Sequence, residues 1–311
     1  MKIVYFGTPD FAAYILQYIL EQGAEVVGVV TNPDKPAGRG HKLRPSAVKE
    51  VATKYCPDLP ILQPESLRDE TFHTELKALG ADLFIVIAFK MLPREVWAMP
   101  RLGTFNLHAS LLPQYRGAAP IQHAILQDER ETGVTTFLLN EGIDEGNILL
   151  QEKVAITPEE TGGSLHDKLM KLGAEVTFQT IQGLAQGTLK PQPQAKVEGL
   201  RYATKIFKED RLLAFQQDTA HRVALRIRAM SPYPSAIAVL GEEEIKVFSA
   251  TPLPSLQGLQ PGKYQVTKES VVVQCKEGAV ELSEVQFPNK RRTTIHDYLL
   301  GNSFPEGGRF N

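Results

Sequence analysis

The chain has 311 residues, of which 42% are hydrophobic and 23% charged, an ordinary globular composition whose length suits two domains. Its longest purely apolar run, LFIVIAF at 83–89, falls far short of the roughly 20 residues needed to cross a bilayer. A net charge of −2 excludes a generally basic nucleic-acid coat but not a local basic arm.

The N-terminus, MKIVYFGTPDF, enters a strand-like run at once and has no h-region or small-residue cleavage site, so a cytoplasmic protein is expected. Short β-branched or aromatic runs at Lys2–Gly7, Glu25–Thr31, Leu83–Phe89, Thr104–His108 and Val134–Leu139 alternate with helical patterns at Phe11–Gln22, Ser66–Leu79 and Ala118–Gln127. Thr8 is the expected N-cap of the first helix, with Pro9 its first residue. Ser66 is the expected cap of the second, and Gly80 its stop. Strands apolar on both faces and separated by helices predict an α/β domain with a parallel sheet covered on both sides. Ligands of such sheets bind beyond the C-terminal strand ends.

A further helix is predicted from Ser164 to about Ala185, ending near Gly187. KPQPQ (190–194) reads as a stiff, extended linker, because each proline forbids continued helix. A helix over Thr219–Ala229 follows, stopped by SPYP (231–234). Alternating runs at Ala236–Leu240, Glu244–Ser249, Lys263–Thr267, Ser270–Cys275 and Ala279–Val285 then predict a small antiparallel barrel. The expected division is a catalytic domain over 1–189, a linker over 190–206 and a second domain over 207–311. Cys56 and Cys275 lie in unrelated segments without a CxxC, which argues for buried thiols rather than a disulfide framework or a zinc site.

Alternate side chains of a strand share a face, so Asn106 and His108 project together from Thr104–His108. A proline- and glycine-marked loop, 109–120, comes next. Spacing alone leaves two readings of this pair: a reactive amide and imidazole, or a cap for backbone groups at a strand end. NEGIDEG (140–146) places two glycines around Asp144, whose backbone can approach a ligand closely. Asp144 could orient the imidazole, or be a solvated turn carboxylate. Together, Asn, His and Asp without a nucleophilic side chain fit acyl transfer from one bound substrate to an amine. Amide and imidazole N–H groups would stabilise the oxyanion, and the carboxylate would accept the amine proton through water. The sequence has no GxSxG, HExxH or GxxxxGK[ST], and FGTPD (6–10) carries one glycine where a dinucleotide fingerprint wants three.

FGTPDFA (6–12), TNPDKPAGRG (31–40), NLHASLLPQYRGAAPIQ (106–122), ETGVTT (131–136) and GIDEGNIL (142–149) resemble, in this order, the methionyl-tRNA formyltransferase family within the wider folate-dependent formyltransferases. The resemblance continues more weakly through IRAMSPYPSA (227–236). It implies a Rossmann-like, mostly parallel sheet domain followed by a small OB-like barrel. It also implies catalytic Asn106, His108 and Asp144, with 10-formyltetrahydrofolate as formyl donor and no metal. The implied folate contacts are Ile87, Ala88, Phe89, Met91 and Leu92, the segment Ser110, Leu111, Leu112 and Pro113, and Asn140, Gly142 and Ile143. Initiator methionyl-tRNA is the implied acceptor, read by Lys35, Arg39, Lys42 and Arg44 in a basic loop and by Lys290, Arg291 and Arg292 in the second domain. A monomer is expected.

The sequence departs from the family pattern at AFKMLP (88–93), where a tyrosine–glycine version is common, at Phe215 for a usual tryptophan, and at Asn147 for a common aspartate. Two alternatives share parts of the pattern. A sugar-nucleotide or glycinamide ribonucleotide formyltransferase would keep the donor but lack the basic loop or the second domain. A non-catalytic RNA-binding protein would tolerate loss of Asn106 or His108.

Overall fold

The computed structural model describes residues 1–37, 42–305 and 307–311, with backbone only at Ala37 and Lys42. By packing, the chain divides into two compact units. The first comprises Met1–Gly117, Thr132–Val154 and Asp167–Tyr202; the second comprises Ala118–Glu131, Ala155–His166 and Ala203–Asn311. Two segments that precede residue 189 thus pack with the C-terminal part.

The first unit contains, in chain order, β1 (Ile3–Gly7), α1 (Asp10–Glu21), β2 (Val26–Val30), the hairpin strands β3 (Lys35–Ala37) and β4 (Lys42–Arg44), and α2 (Ala47–Tyr55). It continues with β5 (Ile61–Leu62), α3 (Glu70–Ala78), β6 (Leu83–Ile87), α4 (Arg94–Trp97), β7 (Thr104–His108) and β8 (Arg116–Gly117). After α5 (Pro120–Leu126), a member of the second unit, come β9 (Glu131–Leu138), β10 (Ile148–Ala155) and the long α6 (Gly162–Gln186). Seven strands form one sheet in the order β10-β9-β7-β6-β1-β2-β5. The pairs among β5, β2, β1, β6 and β7 are parallel, whereas β9 runs antiparallel to β7. Every residue of β1 and β6 is buried, which a strand achieves when helices cover both faces of its sheet. On one face, Phe6 meets Phe84 at 5.2 Å between ring centroids, and Phe72 and Leu76 of α3 close over them.

Two expected caps move. Helix α3 starts at Glu70 rather than at Ser66, because Asp69 caps it by accepting the Thr71 N–H at 2.7 Å. Asp and Ser cap about equally well, and Asp69 stands one turn closer to the buried Phe72 and Leu76. Ser66 instead closes a turn, accepting the Arg68 N–H on its hydroxyl. Pro9, not Thr8, holds the N-cap position of α1, and the Thr8 hydroxyl is buried without a partner. Gly80 does end α3, in the left-handed region that a side chain resists.

In the second unit, β11 (Tyr202–Ala203) precedes α7 (Ala220–Met230), β12 (Ala236–Leu240), β13 (Glu243–Leu253), β14 (Tyr264–Val266), β15 (Val271–Gln274), β16 (Ala279–Gln286), β17 (Thr293–Thr294) and α8 (Ile295–Gly301). Strands β12 to β17 form an antiparallel sheet ordered β12-β13-β16-β15-β14, with β17 on β16. A register shift around Ser249 bends β13. The result is a curled, OB-like half-barrel. Its concave side is filled by Val223, Ile227 and Met230 of α7 against Val247, Val273 and Val280. Phe215, the residue that stands for a tryptophan, is fully buried here, 5.2 Å from the ring of Phe310. Cys275 belongs to the same core, where burial pushes its thiol up to about 12; Cys56 is half-buried.

Candidate active site

Strand β7 lies between β6 and β9, with Val86 and Phe137 opposite Asn106 and Thr135 opposite His108. Four of its five residues are buried; Asn106 is the half-buried exception. The Asn106 side chain has no hydrogen-bond partner among the described residues. A cap for strand-end backbone would be bonded, so this amide is free to serve a ligand.

His108 is 7% exposed, and its Nε2 lies 2.8 Å from the Tyr115 carbonyl oxygen. A carbonyl only accepts, so Nε2 carries the proton of this bond and Nδ1 is the nitrogen left for chemistry. Nδ1 is 3.8 Å from Asp144 Oδ2. That spacing is an ion-pair distance rather than a hydrogen bond. The nearer partner of Asp144 Oδ2 is the Gly117 N–H, at 2.9 Å. His108 and Asp144 therefore stand together, with Asn106 two residues before His108 on the same strand.

The loop that carries Asp144 follows β9, and its path is tight. Asp144 takes φ +53, a left-handed conformation costly for a residue with a side chain. Asn140 Oδ1 accepts the Gly142 N–H at 3.0 Å, starting the loop with a local turn. Gly146 closes it: a Cβ there would sit 1.6 Å from the Leu138 carbonyl oxygen, so only glycine fits.

The segment after β7 is held from within. Thr135 Oγ1 donates to the Ser110 carbonyl at 2.7 Å and accepts the Leu112 N–H at 3.2 Å, while Gln151 Nε2 donates to the Leu112 carbonyl at 3.0 Å. Ser110 and Leu112 are buried, and the Ser110 hydroxyl donates to the Gln114 carbonyl. Their side chains support the turn and offer a ligand no face; Leu111 and Pro113 are half-buried. Tyr115, Gly117, Thr135 and Gln151 escaped the sequence reading. Tyr115 and Gly117 act through backbone groups, which leave no mark in a sequence.

Of the other expected folate contacts, Ile87 and Leu92 are core residues, and Phe89 packs beside Phe6 at 5.8 Å. The Ile87 and Leu92 side chains are buried, whereas Phe89 is half-buried. Met91 and Ile143, by contrast, are 79% and 65% exposed. Their two loops are tied by an Arg94–Glu141 ion pair at 2.9 Å. Ala88, with φ +48, and exposed Asn140 lie on the same loops. Beside them, a groove of about 380 Å³ is bounded by Glu65–Arg68 and Lys90–Pro93.

Of the expected RNA contacts, Lys35 pairs with Arg44 in the β3–β4 hairpin, and both are exposed. Lys42 pairs by backbone with Ala37, and Arg39 lies outside the described residues. In the second unit, Arg292 is spent on a bidentate pair with Glu284 and on the Phe248 ring. Lys290 donates to Asn302 Oδ1 and lies over Tyr298. Arg291 is exposed, with no partner among the described residues. Among the described residues, no three His, Cys, Asp or Glu side chains are grouped to hold a metal ion.

A family model described as formyl transferase matches residues 1–181, and one described as formyl transferase, C-terminal domain, matches 205–303. The chain belongs to the formyl transferase family. Similar family members include the methionyl-tRNA formyltransferase of Bacteroides fragilis, 46% identical over 97% of this chain and 95% of that protein. That of Flavobacterium johnsoniae is 42% identical over 98% of each. Among solved structures, WlaRD, a sugar 3N-formyl transferase, has a TM-score of 0.67 at 20% identity, covering 94% of this chain and 99% of its own. HypX from Aquifex aeolicus in complex with tetrahydrofolic acid has the same TM-score at 20% identity. That match covers 97% of this chain but 47% of HypX, so the chain spans about half of that protein. At such identities the two structures speak for the fold.

Proposed function

We propose that this chain transfers the formyl group of 10-formyltetrahydrofolate to the amino group of methionyl-initiator-tRNA, giving N-formylmethionyl-tRNA for translation initiation. The observation that carries the reading is the unpartnered Asn106 amide beside His108 and Asp144, in a family member whose near-full-length relatives bear that activity's name.

The residues present fit the donor. Exposed Met91 and Ile143, on two tied loops, offer apolar surface to a flat ring, and Ala88, Asn140 and Gly142 offer backbone groups at its edge. When bound, the folate supplies a formyl carbon open to amine attack, whose oxygen becomes negative as the amine adds. Asn106 donates an amide N–H to that oxygen. His108, with Nε2–H committed to Tyr115, donates through Nδ1–H, so the charged imidazolium is the form that serves. Asp144 stands 3.8 Å away as its counter-charge and accepts, through water, the proton lost by the amine. The bond between the formyl carbon and the folate nitrogen would then break, with that proton passing to the departing tetrahydrofolate nitrogen.

Exposed Lys35 and Arg44, with Arg39 and Lys42, supply phosphate contacts to the acceptor end of the tRNA, and Arg291 supplies a further one. Within the proposal the enzyme acts as a cytoplasmic monomer; among the described residues no helix is long and apolar enough to cross a membrane. The test offers purified protein 10-formyltetrahydrofolate with Met-tRNA and an amino-sugar nucleotide as competing acceptors. Formyl transfer to Met-tRNA is expected. Transfer to the sugar nucleotide alone would overturn the assignment.

A further inference from the structure

The proline-rich stretch after α6 does more than connect. Among residues 191–195, Gln194 alone is turned inward; its neighbours are exposed. Pro191 and Pro193 have no N–H to give, which leaves Gln192 to pair by backbone. It does so in both directions with Ile148, at 2.8 Å each, next to the end of the Asp144 loop. Gln194 then reaches the loop itself. Its Nε2 donates to the Asp144 carbonyl at 2.7 Å and to the Gly146 carbonyl at 2.9 Å. Its Oε1 accepts from Arg116 Nη2 at 2.7 Å and from Arg116 Nε at 3.2 Å. Two donors and two acceptors exhaust what a carboxamide can offer. The Arg116 side chain is 13% exposed, and its remaining nitrogen, Nη1, pairs with Glu145 at 3.1 Å.

Asp144 is therefore gripped from two directions by one dipeptide. Gly117 holds the carboxylate by its N–H, and Arg116 holds the peptide carbonyl through Gln194. A carboxylate on a left-handed backbone, 3.8 Å from its imidazole, depends on such a hold, because nothing within 140–147 points it at His108. We propose that Gln194, braced by Arg116, is a positioning residue for Asp144, fixing the catalytic loop from the proline-rich stretch after α6. The proposal rests on the catalytic reading of Asp144 given above.

The test compares full-length Gln194→Leu, which keeps size without polarity, and Gln194→Asn, one methylene too short to span both carbonyls. Gln192→Ala serves as control, since it keeps the backbone pairing with Ile148. Loss of the clip should lower kcat about 10- to 100-fold, the cost of misplacing a reacting group by about an ångström. KM for both substrates should stay within about twofold, and amide hydrogen exchange across 140–147 should rise. Gln192→Ala should match the wild type. Unchanged exchange across 140–147 would overturn the clip. Raised exchange with wild-type kcat would overturn the positioning role, provided Asp144→Asn still abolishes turnover. Wild-type turnover in Asp144→Asn would instead bring down the catalytic reading itself, and the positioning role with it.

Discussion

Replacing Asn106 with alanine separates catalysis from folding more cleanly than any other change at this site. The Asn106 side chain is half-buried and bonded to nothing among the described residues, so its truncation breaks no internal hydrogen bond and opens no sealed core. Such a substitution changes stability by about 0.5 kcal/mol at most, a melting shift under about 2 °C for a domain of this size. Turnover should suffer far more. Loss of one oxyanion donor costs roughly 10²–10³ in kcat, about 2.7–4 kcal/mol of transition-state stabilisation. His108→Ala makes the contrast: it deprives the Tyr115 carbonyl of its donor in a site 7% exposed. Loss of a buried hydrogen bond together with the packing of the ring costs about 1–3 kcal/mol, so that variant should melt several degrees lower as well. Steady-state formyl transfer with varied Met-tRNA, beside thermal melts of both variants, reads all of this. An Asn106→Ala enzyme within threefold of wild-type kcat would refute the oxyanion role. A melting loss as large as that of His108→Ala would show that the amide is a structural cap after all.

Three further outcomes are expected. Gly146→Ala should cut kcat about 10- to 100-fold, because its Cβ meets the Leu138 backbone and the Asp144 loop must shift; wild-type kinetics would mean the loop position is irrelevant. Cys275, pushed up to about 12 by burial and then by Asp218, should stay inert to thiol reagents at about pH 8 until denaturant unfolds the second unit, and labelling of the native protein there would contradict that burial. Asp34 has its carboxyl held below the usual range by hydrogen bonds from Lys49, then Gln63. The stabilisation is therefore complete above about pH 4 and is lost as pH falls through the lower folded value. Melting temperature against pH should fall less steeply below about pH 4 for Asp34→Asn than for the wild type, and parallel curves would dismiss the linkage.

Several elements were legible because their pattern is local. Thr104–His108 and Ala236–Leu240 begin and end where alternation and turn residues said they would. Helix α7 starts after Thr219, whose hydroxyl accepts the Arg222 N–H. Other elements carried weaker marks. The β3–β4 hairpin sits in a stretch read as a loop, since lysine, proline and alanine have little strand preference and only the pairing of Lys35–Ala37 with Lys42–Arg44 makes it a strand. Helix α2, bounded by the Ser46 cap, was hidden by its short length and mixed face. Ser66 lost its place to Asp69 because a cap is chosen by where the apolar stripe docks.

Chemical inventory and period were properties of the chain: an amide and an imidazole two residues apart on one strand face, a carboxylate between glycines, and buried parallel strands. Those follow from residue identity and backbone geometry, which any short segment carries with it. Which side chains stay free was decided by folding. Ser110 and Leu112 went inward, Arg292 was taken by Glu284, and of the polar side chains of its strand Asn106 was left without a hydrogen bond among the described residues. The grip of Arg116 and Gln194 on the Asp144 loop joins residues 78 positions apart, and hydrogen bonds across such spans exist only once the chain has closed on itself.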